Sequence, residues 1–107
     1  MTKEEISEIL HSTGMPVNEW IASKENEKKY PRCVYWPYID QDVVASDESY
    51  TNNRTYQVSI YALKPDSKEI MAIRERLREN NLHPAIYHEY VAEDKVFHTY
   101  FALDVIE

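Results

Sequence analysis

Glycine is nearly missing. Gly14 is the only one in 107 residues, where about seven would be usual for that length. Phosphate cradles of the Rossmann and P-loop kinds need several glycines so that the backbone can approach closely, and both are excluded. Cysteine is as scarce: Cys33 stands alone, which removes an intrachain disulfide framework and any multi-cysteine zinc site. No apolar run comes near the roughly 20 residues of a membrane-spanning helix. The opening Met1-Thr2-Lys3-Glu4-Glu5 lacks the pattern of a secretory signal. Bases are outnumbered, 12 against 19 acids, for a formal charge of −7. A broad nucleic-acid face needs clustered Lys and Arg, so no specific nucleic-acid partner is expected, and no membrane.

What is abundant points elsewhere. A hydrophobic fraction of 43% supports a globular fold, and the length suits a single domain over residues 1–107 with one modest core. Nine tyrosines and two tryptophans favour strands and contact surfaces.

Hydropathy patterning gives the order of elements. Residues 2–13 read as a helix: Thr2 and Glu5 have capping-box spacing, Ile6, Ile9 and Leu10 form an apolar stripe, and Gly14 is placed as the left-handed stop. A short extended piece with Val17, Trp20 and Ile21 precedes a charged loop, Lys24-Glu25-Asn26-Glu27-Lys28-Lys29. Arg32-Cys33-Val34-Tyr35-Trp36 reads as a strand, ended on each side by Pro31 and Pro37, which cannot donate to a ladder. Residues 40–53 are polar and read as a long connection, of the kind that is usually functional or mobile. Residues 54–63 alternate apolar and polar, the period of a half-buried strand. Asp66 and Glu69 again have capping-box spacing, ahead of the stripe Ile70, Ile73 and Leu77. Asn80-Asn81 ends that helix. Residues 86–91 and 96–106 form a hairpin about Glu93-Asp94. The pattern predicts an α+β fold, two helices packed on one face of a mostly antiparallel sheet, in the order α-β-β-β-α-β-β.

Candidate chemistry is thin. His88 and His98 fall on adjacent hairpin strands. A two-residue turn pairs His88 with Thr99 and points the two histidines to opposite faces; a three-residue turn brings them diagonally together. Two nitrogens without a local third ligand make a poor metal site. Cys33 has no base beside it and reads as an inert buried thiol. No Gly-x-Ser-x-Gly elbow surrounds any serine. The paired carboxylates lie in the most polar segments, where solvated charge is the default. The expectation is no catalytic residue, no cofactor and no metal. The segment Tyr30-Pro31-Arg32-Cys33-Val34-Tyr35-Trp36-Pro37-Tyr38 carries large side chains on both faces, more than one thin core absorbs. Tyr35, Trp36, Tyr38, Tyr61, Tyr90 and Tyr100 are therefore candidates for a subunit interface.

The succession of these pieces resembles a loosely related group of small proteins of long-tailed bacteriophages and prophages: the tail-completion, tail-terminator and head–tail joining proteins. The features that carry it are the helix Ile6 to Leu10 ending at Gly14-Met15-Pro16-Val17, then Tyr30-Pro31-Arg32-Cys33-Val34-Tyr35. The acidic stretch from Asp40 to Tyr50 and Tyr56-Gln57-Val58-Ser59-Ile60-Tyr61 follow, then the amphipathic helix and Tyr100-Phe101-Ala102-Leu103. The resemblance implies a structural, non-enzymatic virion-assembly protein that forms a ring with itself, commonly a hexamer, at the head-proximal end of the tail. Tail-tube and head–tail connector proteins would be its partners. It would act in the bacterial host cytoplasm during assembly and then in the virion. On this reading Asp40, Asp42, Asp47 and Glu48 would line the ring lumen or a docking surface, where negative charge repels the DNA backbone. Two other classes remain open. One is a small ligand- or peptide-binding regulatory α+β domain, which needs an aromatic pocket around a few polar groups. The other is an enzyme using His88 and His98 with a carboxylate.

Overall fold

The computed structural model describes residues 2–44 and 50–106, with the side chains of 42–44, 50, 51 and 106 left aside. Its elements are α1 (Lys3–His11), β1 (Val17–Glu19), β2 (Arg32–Val44), β3 (Tyr50–Ala62), α2 (Lys68–Glu79), β4 (Tyr87–Val91) and β5 (Val96–Ile106). The order is that predicted, and the fold is α+β.

Both helices form where the caps and stripes place them. Thr2 Oγ1 accepts the Glu5 amide at 3.2 Å, and Ile6, Ile9 and Leu10 are buried. Gly14 takes φ 80, a conformation that costs glycine little and an L side chain considerably more. In α2 the cap is Ser67 rather than the expected Asp66: its Oγ accepts the Ile70 amide at 3.4 Å. Ser67 holds the extended conformation of an N-cap, φ −58 and ψ 154, and Asp66 is left one residue outside the helix. Asn80 and Asn81 close α2, with Asn81 left-handed at φ 57.

One five-stranded sheet runs β1-β2-β3-β5-β4. β1 lies parallel to β2, and every other pairing is antiparallel. The helices cover one face only. Ile6, Leu10, Ile70, Ile73 and Leu77 pack on Tyr35, Tyr56, Val58, Ile60, Phe101 and Val105 of the strands. Burying each such side chain contributes about 1.5–3 kcal/mol, so this layer supplies most of the drive to fold.

Two strand expectations need correction. Pro37 does not end its strand: β2 continues to Val44 and absorbs the proline next to a register shift between Pro37 and Ile39. β1 pairs no further than Tyr35, so the outer edge of β2 at residue 37 asks for no amide donor, and proline is tolerated. Residues 40–53 are likewise not one long connection. Asp40 pairs with Arg54, Gln41 with Asn53, Asp42 with Asn52, Val43 with Thr51 and Val44 with Tyr50. The strands thus run on as an arm beyond the helix layer, three-stranded at Arg54 and Asn53, which also pair with Val105 and Ile106 of β5, and two-stranded past them.

Candidate interaction face

On the helix-free face, the odd residues of β3, the even residues of β5 and Arg32, Val34 and Trp36 of β2 point outward from the core. Arg32, Tyr61, His98 and Glu89 fall in one register row across four strands. Their side chains form a pile. The Arg32 guanidinium lies 4.8 Å from the ring centres of both Tyr30 and Tyr61, within cation–π range. Tyr61 stacks on His98 at 4.8 Å with an 8° tilt. His98 stacks on Tyr100 at 4.7 Å, and Tyr100 on Tyr87 at 5.4 Å.

His98 is pinned at both nitrogens. Its Nδ1 lies 2.8 Å from Glu89 Oε1, and its Nε2 lies 2.8 Å from Ser59 Oγ. The arrangement that satisfies every group has Nδ1–H donating to the carboxylate and the serine hydroxyl donating to Nε2. Gln57 Nε2 then donates to Ser59 Oγ at 3.2 Å. Serine, histidine and carboxylate in this order resemble a nucleophile relay, but Ser59 is fully buried, so its Oγ is closed to solvent in this structure. The relay holds the ring pile in place.

His88 faces the other way, with Nδ1 2.8 Å from Thr99 Oγ1, which is the register of the two-residue-turn reading. Val91 pairs with Val96, so the loop itself is the four residues 92–95. Ser59 and Thr99 are the fully buried polar side chains among the described residues, and a hairpin histidine satisfies each. Among the described residues no three His, Cys, Asp or Glu side chains converge as metal ligands. Burial pushes the Cys33 thiol far above its ordinary range, which leaves it protonated and unreactive. Burial also raises the Tyr61 phenol, with Arg32 opposing.

The interface candidates separate. Tyr35 is a correction: it is buried among core side chains, 6.0 Å from the Tyr56 ring, and no neighbouring copy can touch it. Tyr38 is half exposed on the β2 bulge and Tyr90 more than half exposed on β4. Trp36, Tyr61 and Tyr100 are half-buried on the bare face. Of the acidic set, Asp40 is exposed but forms an ion pair with Arg54, Nε to Oδ1 2.6 Å, so a cation partly offsets it. The Asp42 side chain, Asp47 and Glu48 lie outside the described residues.

Sequence reasoning missed Arg32, Ser59 and Glu89, together with Trp20. The signal exists as period-two alternation, but only the register between strands makes Arg32, Tyr61, His98 and Glu89 a row. Trp20 and Ile21 leave β1 largely exposed, and with Ala22, Arg32, Trp36 and Tyr61 they line an open groove of about 280 Å³. No helix among the described residues is long and apolar enough to cross a membrane. No protein-family model and no curated protein matches the chain.

Proposed function

We propose that this protein is a structural subunit of a homo-oligomeric ring, acting in virion assembly of a long-tailed phage or prophage at tail completion or head–tail joining. One observation supports it above the rest: along the arm the sheet is bare at both outer edges. Among the described residues, β2 has no outer neighbour beyond Tyr35, and β5 has none beyond Tyr100. Exposed edges of this length are ordinarily blunted or covered, because their unpaired amides and carbonyls invite another strand. The two edges lie on opposite sides of the same end of the sheet. Such edges suit a heterologous contact, in which different surfaces meet and a rotation closes the ring. The acidic stretch of the sequence, Asp40, Asp42, Asp47 and Glu48, is then the part offered to the lumen or to a docking partner.

The test is inactivation of the gene in the genome that carries it, with the induced lysate imaged by negative-stain electron microscopy. Filled heads separated from tails, or tails of irregular length, are expected. Complete, infectious particles would overturn the reading.

A further inference from the structure

The assembly reading draws on the bare edges along the arm; the other end of the sheet carries a second pair of complementary surfaces. Three observations converge on the β1 flank. First, Trp20 adopts φ 77, and the Ile21 amide donates to the Glu19 carbonyl at 3.1 Å. This is the positive-φ γ-turn, a rare and strained conformation for a bulky side chain. At this turn two large apolar side chains stand in water, Trp20 at 58% and Ile21 at 79% exposure. Second, Arg32 beside them forms no ion pair among the described residues, and its buried Nε has no hydrogen-bond partner. Its one hydrogen bond among the described residues is 3.5 Å from Nη1 to the Lys29 carbonyl, beside the ring contacts with Tyr30 and Tyr61. Third, residues 24–32 carry four cations, Lys24, Lys28, Lys29 and Arg32, against two acids, in a chain of net charge −7.

The opposite flank is the complement. Residues 87–96 carry Glu89, Glu93 and Asp94 against one base, Lys95. β4 is the outer strand there, with Tyr87 and Tyr90 exposed. Arg32 and Glu89 stand at the two ends of one register row. A second copy placed alongside, with its strands in the same direction, therefore brings its Glu89 to the height of the first copy's Arg32.

We propose that the acidic β4–β5 hairpin of one copy, through Glu89, Glu93 and Asp94, docks on the Trp20–Ile21–Arg32 groove and the lysines Lys28 and Lys29 of the next. This rests on the assembly reading and names the partner surface within it: a second copy of the same chain, head to tail. The apolar groove supplies area, and the opposed charges set register and direction.

The experiment is sedimentation velocity on the intact chain from about 1 to 500 µM, at low and at high salt. The wild type is expected to self-associate, more weakly as salt screens the exposed charges. Lys28→Glu with Lys29→Glu, and separately Glu93→Lys with Asp94→Lys, should each weaken association at least tenfold. All four positions are exposed, so circular dichroism should show both variants folded. An equimolar mixture of the two should associate again, because each acidic face then meets a basic one. A wild type that stays monomeric at low salt, variants that associate as it does, or a mixture that stays apart would each overturn the contact. None of those outcomes touches the lysate images, which judge the assembly reading separately.

Discussion

The helix-covered and the bare faces of this sheet are both crowded with large side chains, yet different physics holds them. Under α1 and α2 the contacts are aliphatic and non-directional, with Val58, Ile60, Ile70 and Ile73 at most 1% exposed. On the bare face, order comes from stacked rings and from hydrogen bonds that fix His98 at two points. Val34 and Val96 are buried there although no helix covers them. The first face drives folding through area removed from water. The second holds shape at the surface, which is what a specific contact needs, since rigid aromatic anchors lose little freedom on binding. Substitutions should separate these roles.

The largest effect belongs to the covered face. Ile73→Ala removes a fully buried side chain between α2 and the sheet and should lower unfolding free energy in urea by about 2–5 kcal/mol. A loss below about 1 kcal/mol would mean that α2 is not the cover it is taken to be.

Next comes an alkaline effect that begins in the same layer. Burial raises the Cys33 thiol above its ordinary value of 9.0, so the folded state keeps a proton that the unfolded chain gives up. The stability this represents is intact below pH 9 and is lost as pH climbs above it, at about 1.4 kcal/mol per pH unit. The Tyr61 phenol, also raised from 10.0, steepens the fall above pH 10. Urea titrations at pH 8 to 10.5 should show the slope, and Cys33→Ala should flatten its lower part. An unchanged slope in the variant would place the thiol in contact with solvent.

The stripes Ile6/Ile9/Leu10 and Ile70/Ile73/Leu77 and the alternation of residues 54–63 made the element order legible in the sequence, because each has one buried and one wet face. That signal fails along the arm. Asp40, Gln41, Asn52 and Asn53 are no part of the helix-covered core, so they carry no alternation and look like a loop. Pro37 misled for a related reason: a proline breaks a ladder only where the ladder needs its amide. The bare-face pile was legible as residue types but not as a site. Tyr61, Tyr100 and His98 stand out as aromatic or titratable, whereas Arg32, Ser59 and Glu89 gain meaning only from a register that composition does not encode.

A smaller loss is expected at His98. His98→Ala leaves the buried Ser59 hydroxyl proton without its acceptor, although Gln57 still donates to the oxygen. The cost should be about 1–2 kcal/mol in urea unfolding. His98→Phe keeps a ring between Tyr61 and Tyr100 and should recover part of it. A phenylalanine variant as unstable as the alanine one would assign the whole effect to the hydrogen bonds.

The smallest change in stability belongs to the most exposed apolar side chain. Ile21 is 79% exposed, so Ile21→Ser removes almost no buried area and should leave unfolding free energy within about 0.5 kcal/mol of wild type. Its place in the groove gives it another readout: self-association in the ultracentrifuge should weaken while the urea midpoint stays put. A variant that loses stability and keeps association would reverse the comparison, since Ile21 would then belong to the fold and the groove would be an accident of the β1 turn. Only the dissociated pair of results, association lost and stability kept, is what a bare face reserved for a neighbour predicts.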